Sequence, residues 1–239
     1  MRRTILLGLL VTVGACANQP PHTEPDARPI GSIRLRAGWQ SSVIAERFDT
    51  IALMLPSGER QLQHSSQRAS FTVTVAANGT ATAHLDSTSS TPPDSGDGAA
   101  DILALGRRLI PAVLVRGIEP RSNWVDSASE TARTGVFTVK ERRTVDWSAG
   151  AERNQTVPIR AREDFEQVGG GQRYTTEMTY TSNGSRSNTY SVKTDGTIAA
   201  GMLVDSVTMT IGFPGSREVV SGIRVSRTVI RFIPMHGAP

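Results

Sequence analysis

The sequence is poor in cysteine and in lysine, and its charges nearly balance. Cys16 is the only cysteine among the 239 residues, which excludes an intramolecular disulfide and a metal cluster of cysteines. Lys140 and Lys193 are the only lysines, and 26 Lys and Arg stand against 22 Asp and Glu, for a formal charge of +4. Because this excess is small and is spread among acidic residues, we expect no nucleic-acid partner.

Patterns that would predict catalysis or a metal site are also missing. No His-x-x-His or His-Glu pair and no Gly-x-Ser-x-Gly elbow occurs in the chain. Gly169–Gly171 lacks the Lys-Ser or Lys-Thr that a phosphate loop needs, and so predicts a turn. We therefore expect a protein that is not an enzyme and that binds no cofactor or metal. The four histidines, for which we expect solvated or structural roles, are His22, His64, His84 and His236.

Three carboxylates lie close together in the chain, at Glu163, Asp164 and Glu166. A pair of carboxylates can cleave a glycosidic bond, but neighbouring residues of a strand point to opposite faces of a sheet. We therefore interpret these three residues as a solvated strand end and not as an active site.

The chain begins with a short apolar run after two arginines. Arg2 and Arg3 precede Ile5–Val13, whereas a helix needs about 20 apolar residues to cross a bilayer. Residues 1–15 therefore predict a signal peptide and not a transmembrane helix. The residues around the cleavage point, Val13-Gly14-Ala15-Cys16, resemble the lipobox of bacterial lipoproteins, in which small residues precede a cysteine.

The resemblance to bacterial lipoproteins implies where in the cell the protein is located. In that class a diacylglyceryl group is placed on the sulfur of the cysteine, here Cys16, the leader is cut before it, and the new amino group is acylated by a fatty acid such as palmitate. Several acyl chains, each contributing about 0.8 kcal/mol per buried CH₂, anchor a protein to a membrane. Ala17, and not aspartate, follows the cysteine, which by the same resemblance implies the outer membrane, with the domain facing the periplasm. The alternative is a plain secretory leader cut near Ala15 or Ala17.

The rest of the chain divides into a tether and a body. Residues 16–31 carry the cysteine and then four prolines with little to bury, which predicts an extended tether. Residues 32–239 predict a single β-rich domain. Ser87–Gly98 is a low-complexity segment that predicts a loop, and it marks the place where two smaller domains would divide.

The body shows the period-two alternation of β-strands. Phe71–Val75 alternates apolar and polar residues and leads to Asn78-Gly79, a pair typical of a tight hairpin turn. Thr50–Leu55 predicts a further strand, and the segment from Trp39 to Phe48 is either a strand or a short helix. Further alternating segments span residues 134–147, 155–165, 172–181, 197–211 and 217–233, with tight turns predicted at Asn183-Gly184 and Asp195-Gly196.

These segments predict a mainly β fold. Strands of about ten residues with one apolar face must curl, so we expect an antiparallel meander that forms a curved sheet, a half-barrel or a barrel-like domain. One short helix is expected at Ala99–Ile110, where apolar residues recur at helical spacing, and Pro111 would end it. The alternative is a two-layer β-sandwich.

This arrangement looks like the half-barrel lipoproteins and carriers that shuttle lipids or lipoproteins across the periplasm. The likeness covers residues 40–233 loosely and transfers no site residues. It implies a membrane-anchored lipoprotein of the cell envelope that binds a lipid or another apolar ligand in a groove. The candidate lining residues are Trp124, Trp147, Tyr174 and Tyr180, although for Trp124 we favour core packing. The alternative is a non-enzymatic structural or assembly component that docks to another envelope protein.

Overall fold

The computed structural model describes residues 32–91, 105–106, 108–111 and 113–235. The predicted signal peptide, Cys16, the tether, His22 and His236 lie outside these residues. The described strands are β1 (Gln40–Met54), β2 (Arg60–Val75), β3 (Ala81–Thr91), β4 (Asn123–Thr134), β5 (Phe137–Ala149), β6 (Thr156–Arg173), β7 (Thr176–Lys193), β8 (Ile198–Gly212) and β9 (Val219–Pro234). A one-turn helix, α1 (Val113–Arg116), precedes β4.

All nine described strands form one antiparallel sheet in the order β3-β2-β1-β9-β8-β7-β6-β5-β4. Except for β3 and β4, strands that follow one another pair as hairpins, and the pairing of β1 with β9 joins the first three strands to the last six. The sheet is curved and not closed, with β3 and β4 at its two edges. The predicted curved antiparallel sheet is thus confirmed, and the strands form one layer where a sandwich would have two.

The chain crosses one face of the sheet on its way from edge strand β3 to edge strand β4. The described part of this connection, residues 105–106, 108–111 and 113–118, is called the covering segment, and the face on which it packs is called the inner face. The other face is the outer face. We call the end of the sheet that carries the β1–β2 turn at Pro56–Gly58 the upper end, and the opposite end the lower end.

The lower half of the inner face holds the main hydrophobic core. Leu109 and Leu114 of the covering segment are fully buried there against the strands. The Tyr190 hydroxyl donates a hydrogen bond of 2.8 Å to the carbonyl oxygen of Arg108, which fixes the segment to β7. Burying a side chain the size of leucine contributes about 1.5–3 kcal/mol, so the covering segment is a structural part of the core. Strand residues that are also fully buried here are Val43, Val73, Val157, Ile159, Val192 and Ile230.

Two predicted turns are wrong, because their glycines lie inside strands. Gly169–Gly171 is part of β6, and Asn183-Gly184 is part of β7. A Cβ atom on Gly169 would lie 2.1 Å from the Thr138 carbonyl oxygen, so these glycines permit close approach of neighbouring strands. The chain turns instead at Tyr174, whose φ of 56° is in the left-handed region.

Other local predictions have mixed outcomes. The turns at Asn78-Gly79 and Asp195-Gly196 are confirmed, with φ of 84° and 85° at the two glycines. The ambiguity before residue 50 resolves as strand, because β1 runs without interruption from Gln40 to Met54. The loop predicted from Ser87 is wrong up to Thr91, because these residues extend β3 along β2, and the rest of that segment is outside the described residues.

The predicted helix at 99–110 is confirmed only in part, and it is wrong for residues 109 and 110, which form a bend. Residues 105, 106 and 108 are helical, and the helix ends before Pro111, as expected of proline. Its first residues, 99–104, are outside the described part of the chain. The turn α1 beyond the proline was not predicted, because its four residues are too few to show a periodic pattern.

Candidate functional site

A row of charged and polar side chains crosses the middle of the inner face, between the covered lower half and the upper half. We call this row the polar band. Nine of its thirteen members are buried and the other four are half-buried, although sheet interiors are usually apolar. Its members are Arg47 and Asp49 on β1, Glu130 on β4, Glu141 and Arg143 on β5, Glu163 and Gln167 on β6, Ser182, Arg186 and Asn188 on β7, Asp205 on β8, Ser226 on β9, and Arg108 of the covering segment.

Arg186 is the centre of the band. Its Nη1 atom donates to Glu141 at 3.0 Å and also to Glu163, and Nη2 donates to the second oxygen of Glu141 at 3.1 Å. The guanidinium lies 3.8 Å from the centroid of the Phe165 ring, in cation–π contact. One arginine therefore neutralises carboxylates from two different strands.

Hydrogen bonds continue the band across β6 and β7. The Gln167 amide nitrogen donates to Glu141 at 2.5 Å, and the Ser182 hydroxyl donates to Gln167 at 2.9 Å. Arg143 lies 3.0 Å from Glu130 and 3.6 Å from Glu141, and so connects edge strand β4. Polar groups at this depth need such partners, because an unpaired buried polar group costs about 1–3 kcal/mol.

The band also holds the covering segment in place. Arg108 donates to both oxygens of Asp205, at 2.9 and 2.8 Å, and its Nη2 atom also donates to Asn188 at 3.1 Å. A bidentate arginine–carboxylate pair fixes geometry as well as charge. The covering segment is thus joined to β7 and β8 at the line where the covered half of the face ends.

A further ion pair completes the band on β1. The side chains of Arg47 and Asp49 point to the same face, and Nε and Nη2 of the arginine donate to Oδ1 of the aspartate at 3.1 and 2.9 Å. Ser226 on β9 accepts a bond of 3.2 Å from Arg47 and donates its hydroxyl to Asp49. These contacts join the two halves of the chain at the β1–β9 pair.

The buried setting shifts the pKa values of the acids and bases. Burial alone would raise the pKa of Glu141, but the hydrogen bond and charge of Arg186 outweigh it, so the pKa lies below its usual range. The pKa of Asp205 is likewise lowered, since Arg108 outweighs the effect of burial. Burial raises the pKa of the Tyr190 hydroxyl. Glu141 and Asp205, whose pKa values are lowered, are therefore ion-pair partners and not proton donors at neutral pH.

Above the polar band, the inner face is apolar again, but no described residue of the covering segment packs on it. Phe137 and Tyr180 stack with their ring centroids 4.7 Å apart, and Val139 is buried beside them. Every residue of this cluster belongs to the strands or to the β4–β5 turn, and none comes from the covering segment. The half-buried members around the three buried ones are Ala132, Val136, Met178, Met209 and Ile211.

Two open grooves lie on the opposite side of the sheet, along the outer faces of β4–β7. One has a volume of about 770 Å³ and the other about 520 Å³. Hydroxyl and charged side chains such as Arg142, Asp164 and Arg162 line them, with Trp124 and Trp147 at the base of the smaller one. An apolar ligand would not be well matched to these walls, because apolar sites are lined mainly by hydrophobic side chains.

The predicted lining residues are not gathered in one place. Trp124 and Trp147 pair across β4 and β5 and stack with centroids 6.1 Å apart, against the main core. Tyr180 belongs to the upper cluster, eight residues up the sheet or about 26 Å away. Tyr174 is 90% exposed at the tip of the β6–β7 hairpin. Of the four, only Tyr180 lies at the uncovered half of the inner face.

The three neighbouring carboxylates do not form a solvated strand end. Glu163 is 5% exposed and binds Arg186, which makes that interpretation wrong for this residue. Asp164 and Glu166 lie on the outer face and are exposed, so the three do not converge on one site. Successive residues of β6 point to opposite faces of the sheet, which separates Glu163 from Asp164 and Glu166.

The histidines that the structure describes are surface residues. His64 shares a hydrogen bond of 3.1 Å with Thr50, and His84 lies 3.3 Å from Asp86. The described residues contain no group of three or more His, Cys, Asp or Glu side chains arranged to hold a metal ion. Among them there is also no helix with the length and apolar character needed to span a bilayer.

Comparisons with known proteins add no assignment. The chain matches no family model, no curated protein and no solved structure. Any proposal about function therefore depends on the geometry of this chain and on its own sequence.

Proposed function

We propose that this protein is a membrane-anchored lipoprotein of the bacterial cell envelope that binds a lipid acyl chain or another apolar ligand against the upper half of the inner face. It acts as a binding protein and not as an enzyme. The observation that supports this most is the apolar cluster around Tyr180, which has no second layer from the described part of the chain. A bound acyl chain would pack apolar groups against this cluster, as the covering segment does on the lower half of the inner face.

The composition of the upper half suits a flexible ligand. Met178 and Met209 flank the cluster, and methionine side chains adapt to ligands of varied shape. Ile211 beside them is only half-buried, so a ligand would remove apolar surface from water at each of these positions. The polar band closes the lower end of this surface, since its charges are buried and paired.

The proposed location at a membrane is supported by the sequence. The lipobox-like residues Val13–Cys16 support an acylated N-terminus, and the proline-rich tether to residue 31 supports a domain held at a distance from the membrane. The anchor is tested by Cys16→Ser and radiolabelled palmitate. Loss of label in the variant is expected, and continued labelling would refute the anchor.

Ligand binding is tested by native mass spectrometry of the full-length protein purified from membranes. We expect a co-purifying lipid in the wild type and its loss in Ile211→Glu and Met178→Glu, which place a charge on the upper inner surface. The matched control is Val168→Glu, an exposed apolar residue at a similar height on the outer face. Thermal unfolding of each variant separates lost binding from lost folding. No lipid in the wild type, or equal retention in all variants, would contradict the proposal.

A second candidate function, docking to another envelope protein, is supported by the edge strand β4. Its twelve residues, Asn123–Thr134, contain neither proline nor lysine, and their outer edge is unpaired within the described chain. Such an edge can accept a strand from a partner. A photo-crosslinker at Ser129 should then capture one protein in cells, and Ser127→Pro should abolish the capture. Capture that survives the proline would contradict strand addition.

A further inference from the structure

The outer face of the sheet has two chemically distinct regions. On β7 its side chains are all Ser, Thr or Asn from Thr179 to Ser191, as expected of a solvated surface. On β2, β1 and β9 the same face exposes large apolar side chains. These residues, called the outer patch, are Phe48 (52% exposed), Met54 (45%), Leu62 (57%), Ile223 (52%) and Val225 (46%).

The strand register makes the outer patch continuous. Leu62, Ala52 and Ile223 form one row across three strands, because Ala52 pairs with both of the others. Val225 is two residues along β9 from Ile223, and Phe48 lies diagonally beside Val225. Neighbouring strands are about 4.8 Å apart, so the side chains of the patch lie side by side. A contiguous exposed apolar surface of this kind marks an interaction site.

Arginines surround the outer patch. The charged residues at outer-face positions of β2, β1, β9 and β8 are four arginines, Arg60, Arg68, Arg227 and Arg231, and one glutamate, Glu46. Glu46 lies 3.8 Å from Arg68 and 3.5 Å from Arg231, whose side chains are 62% and 66% exposed. The region carries a net excess of three positive charges, which is most of the excess of the whole chain.

We infer that the outer patch lies on the surface of a bilayer that contains anionic phospholipids. Apolar side chains between arginines suit the boundary between headgroups and acyl chains, where arginine stems cover apolar surface and their guanidinium groups reach phosphate. Positive charge attracts a protein to an anionic leaflet. A second copy of this chain fits less well, because two such faces would bring arginines against arginines.

The shape of the region agrees with a broad, flat occupant. Both described grooves lie on the outer face of β4–β7, towards the β4 edge of the sheet, so neither reaches the outer patch on β2, β1 and β9. The inference also rests on the anchor of the proposed function, which would hold the domain near the bilayer. A chain of 16 residues spans at most about 55 Å when extended, so the tether permits this face to reach the membrane.

The test uses the fact that Cys16 is the only cysteine of the chain. In the acylated full-length protein that sulfur is blocked, so Ile223→Cys takes a single fluorescent label on the outer patch. The matched control is Asn183→Cys, which lies in the same row through Thr208 but on the hydroxyl-rich face of β7. The protein is reconstituted into phosphatidylcholine vesicles with or without about 30% phosphatidylglycerol, together with a lipid-borne quencher.

We expect quenching at position 223 to exceed that at position 183 by about twofold or more in the anionic vesicles only, and to fall at about 0.5 M salt. Arg227→Glu should lower the quenching at position 223 several-fold, whereas Arg162→Glu, an exposed arginine on the outer face of β6, should leave it unchanged.

Equal quenching at the two positions, or quenching that does not depend on phosphatidylglycerol, would overturn the inference. So would a protein crosslinked at position 223 in cells with no lipid contact there. Palmitate labelling is followed in parallel. If Cys16 is not acylated, the anchor fails, and the same two labels are compared in a Cys16→Ser background with added vesicles. The ratio between positions 223 and 183 then still decides on the outer patch.

Discussion

The two halves of the inner face are built on the same strands, yet within the described part of the chain only the lower half has a second layer. Leu109 and Leu114 of that layer are fully buried, as are strand residues of the same core such as Ile159. In the upper half the cluster around Tyr180 depends on its neighbours in the sheet, and Ile211 stays half-exposed. The difference shows that one crossing connection, not the strands, determines which part of a curved sheet becomes core.

The polar band marks the boundary between these halves. Burying a charge costs desolvation free energy, so the charged side chains of the band stabilise the fold only when every one of them keeps its partner. Arg108 binds Asp205 at this line and so stops the covering segment from shifting upward. The band therefore lies at the upper limit of the region that the described covering segment packs on.

The largest effect is expected at the centre of the band. Arg186→Met would leave Glu141 and Glu163 buried without their cation, and breaking a buried pair in this way costs about 3–5 kcal/mol of the free energy of unfolding. Denaturant unfolding measures the loss. The control, Arg142→Met, removes an exposed arginine of β5 and should change stability by about 0.5 kcal/mol or less. Similar losses in both would show that the band is not a buried network.

A smaller loss of stability is expected from truncating one side chain in each half of the inner face, and the two losses can be compared directly. Leu114→Ala opens a cavity under the covering segment and should cost about 2–5 kcal/mol, as large-to-small core changes do. Ile211→Ala, in the uncovered half, should cost clearly less, because its side chain is already in contact with water. Equal costs would mean that the upper half is as tightly packed as the lower one.

The free energy of unfolding should depend on pH through the carboxylates of the polar band whose pKa values are shifted. The pKa values of Glu141 and Asp205 are lowered in the folded protein, so their contribution is fully present above their ordinary values of 4.5 and 3.8. It is lost as the pH falls further, through the lowered values. Glu141→Gln should flatten this acid limb, whereas Glu166→Gln on the outer face should not. The raised pKa of Tyr190 predicts a second loss of stability above its ordinary value of 10.0.

The smallest effect is expected at the hairpin tip. Tyr174 is 90% exposed, so Tyr174→Ala should change stability by no more than about 0.5 kcal/mol and should retain any co-purifying lipid. Unfolding curves and native mass spectrometry of the variant check both points. A loss of lipid would place the binding surface at the hairpin tip and not on the inner face.

Much of the sheet could be predicted from alternation alone. Residues 134–147 form one of the predicted alternating segments, and its apolar residues Phe137, Val139, Val145 and Trp147 all lie on the inner face. The turn predictions were wrong where glycine has another role, as at Gly169, where the neighbouring strand leaves no room for a side chain. A single sequence does not separate a glycine that turns the chain from one that admits a neighbour.

The polar band could not be predicted, for a different physical reason. Glu141, Arg186 and Asp205 occupy positions of the buried face, but alone each resembles an ordinary surface charge. Their partners come from distant parts of the chain: Glu141 and Arg186 are 45 residues apart, and Arg108 of the covering segment is 97 residues from Asp205. Only the strand register brings them together, and alternation does not fix the register between distant strands.

The central claim, that the upper half of the inner face is open and binds an apolar ligand, is tested most directly on β8. Leu203 and Ile211 lie on the same face of this strand, on either side of Asp205, the first 1% exposed and the second half-exposed. Each is changed to cysteine in the full-length protein, and the rate of maleimide labelling is measured with and without added phospholipid. We expect labelling about tenfold or more faster for Ile211→Cys than for Leu203→Cys, and slower labelling of Ile211→Cys when lipid is present. Equally slow labelling at both positions, or no protection by lipid, would contradict it.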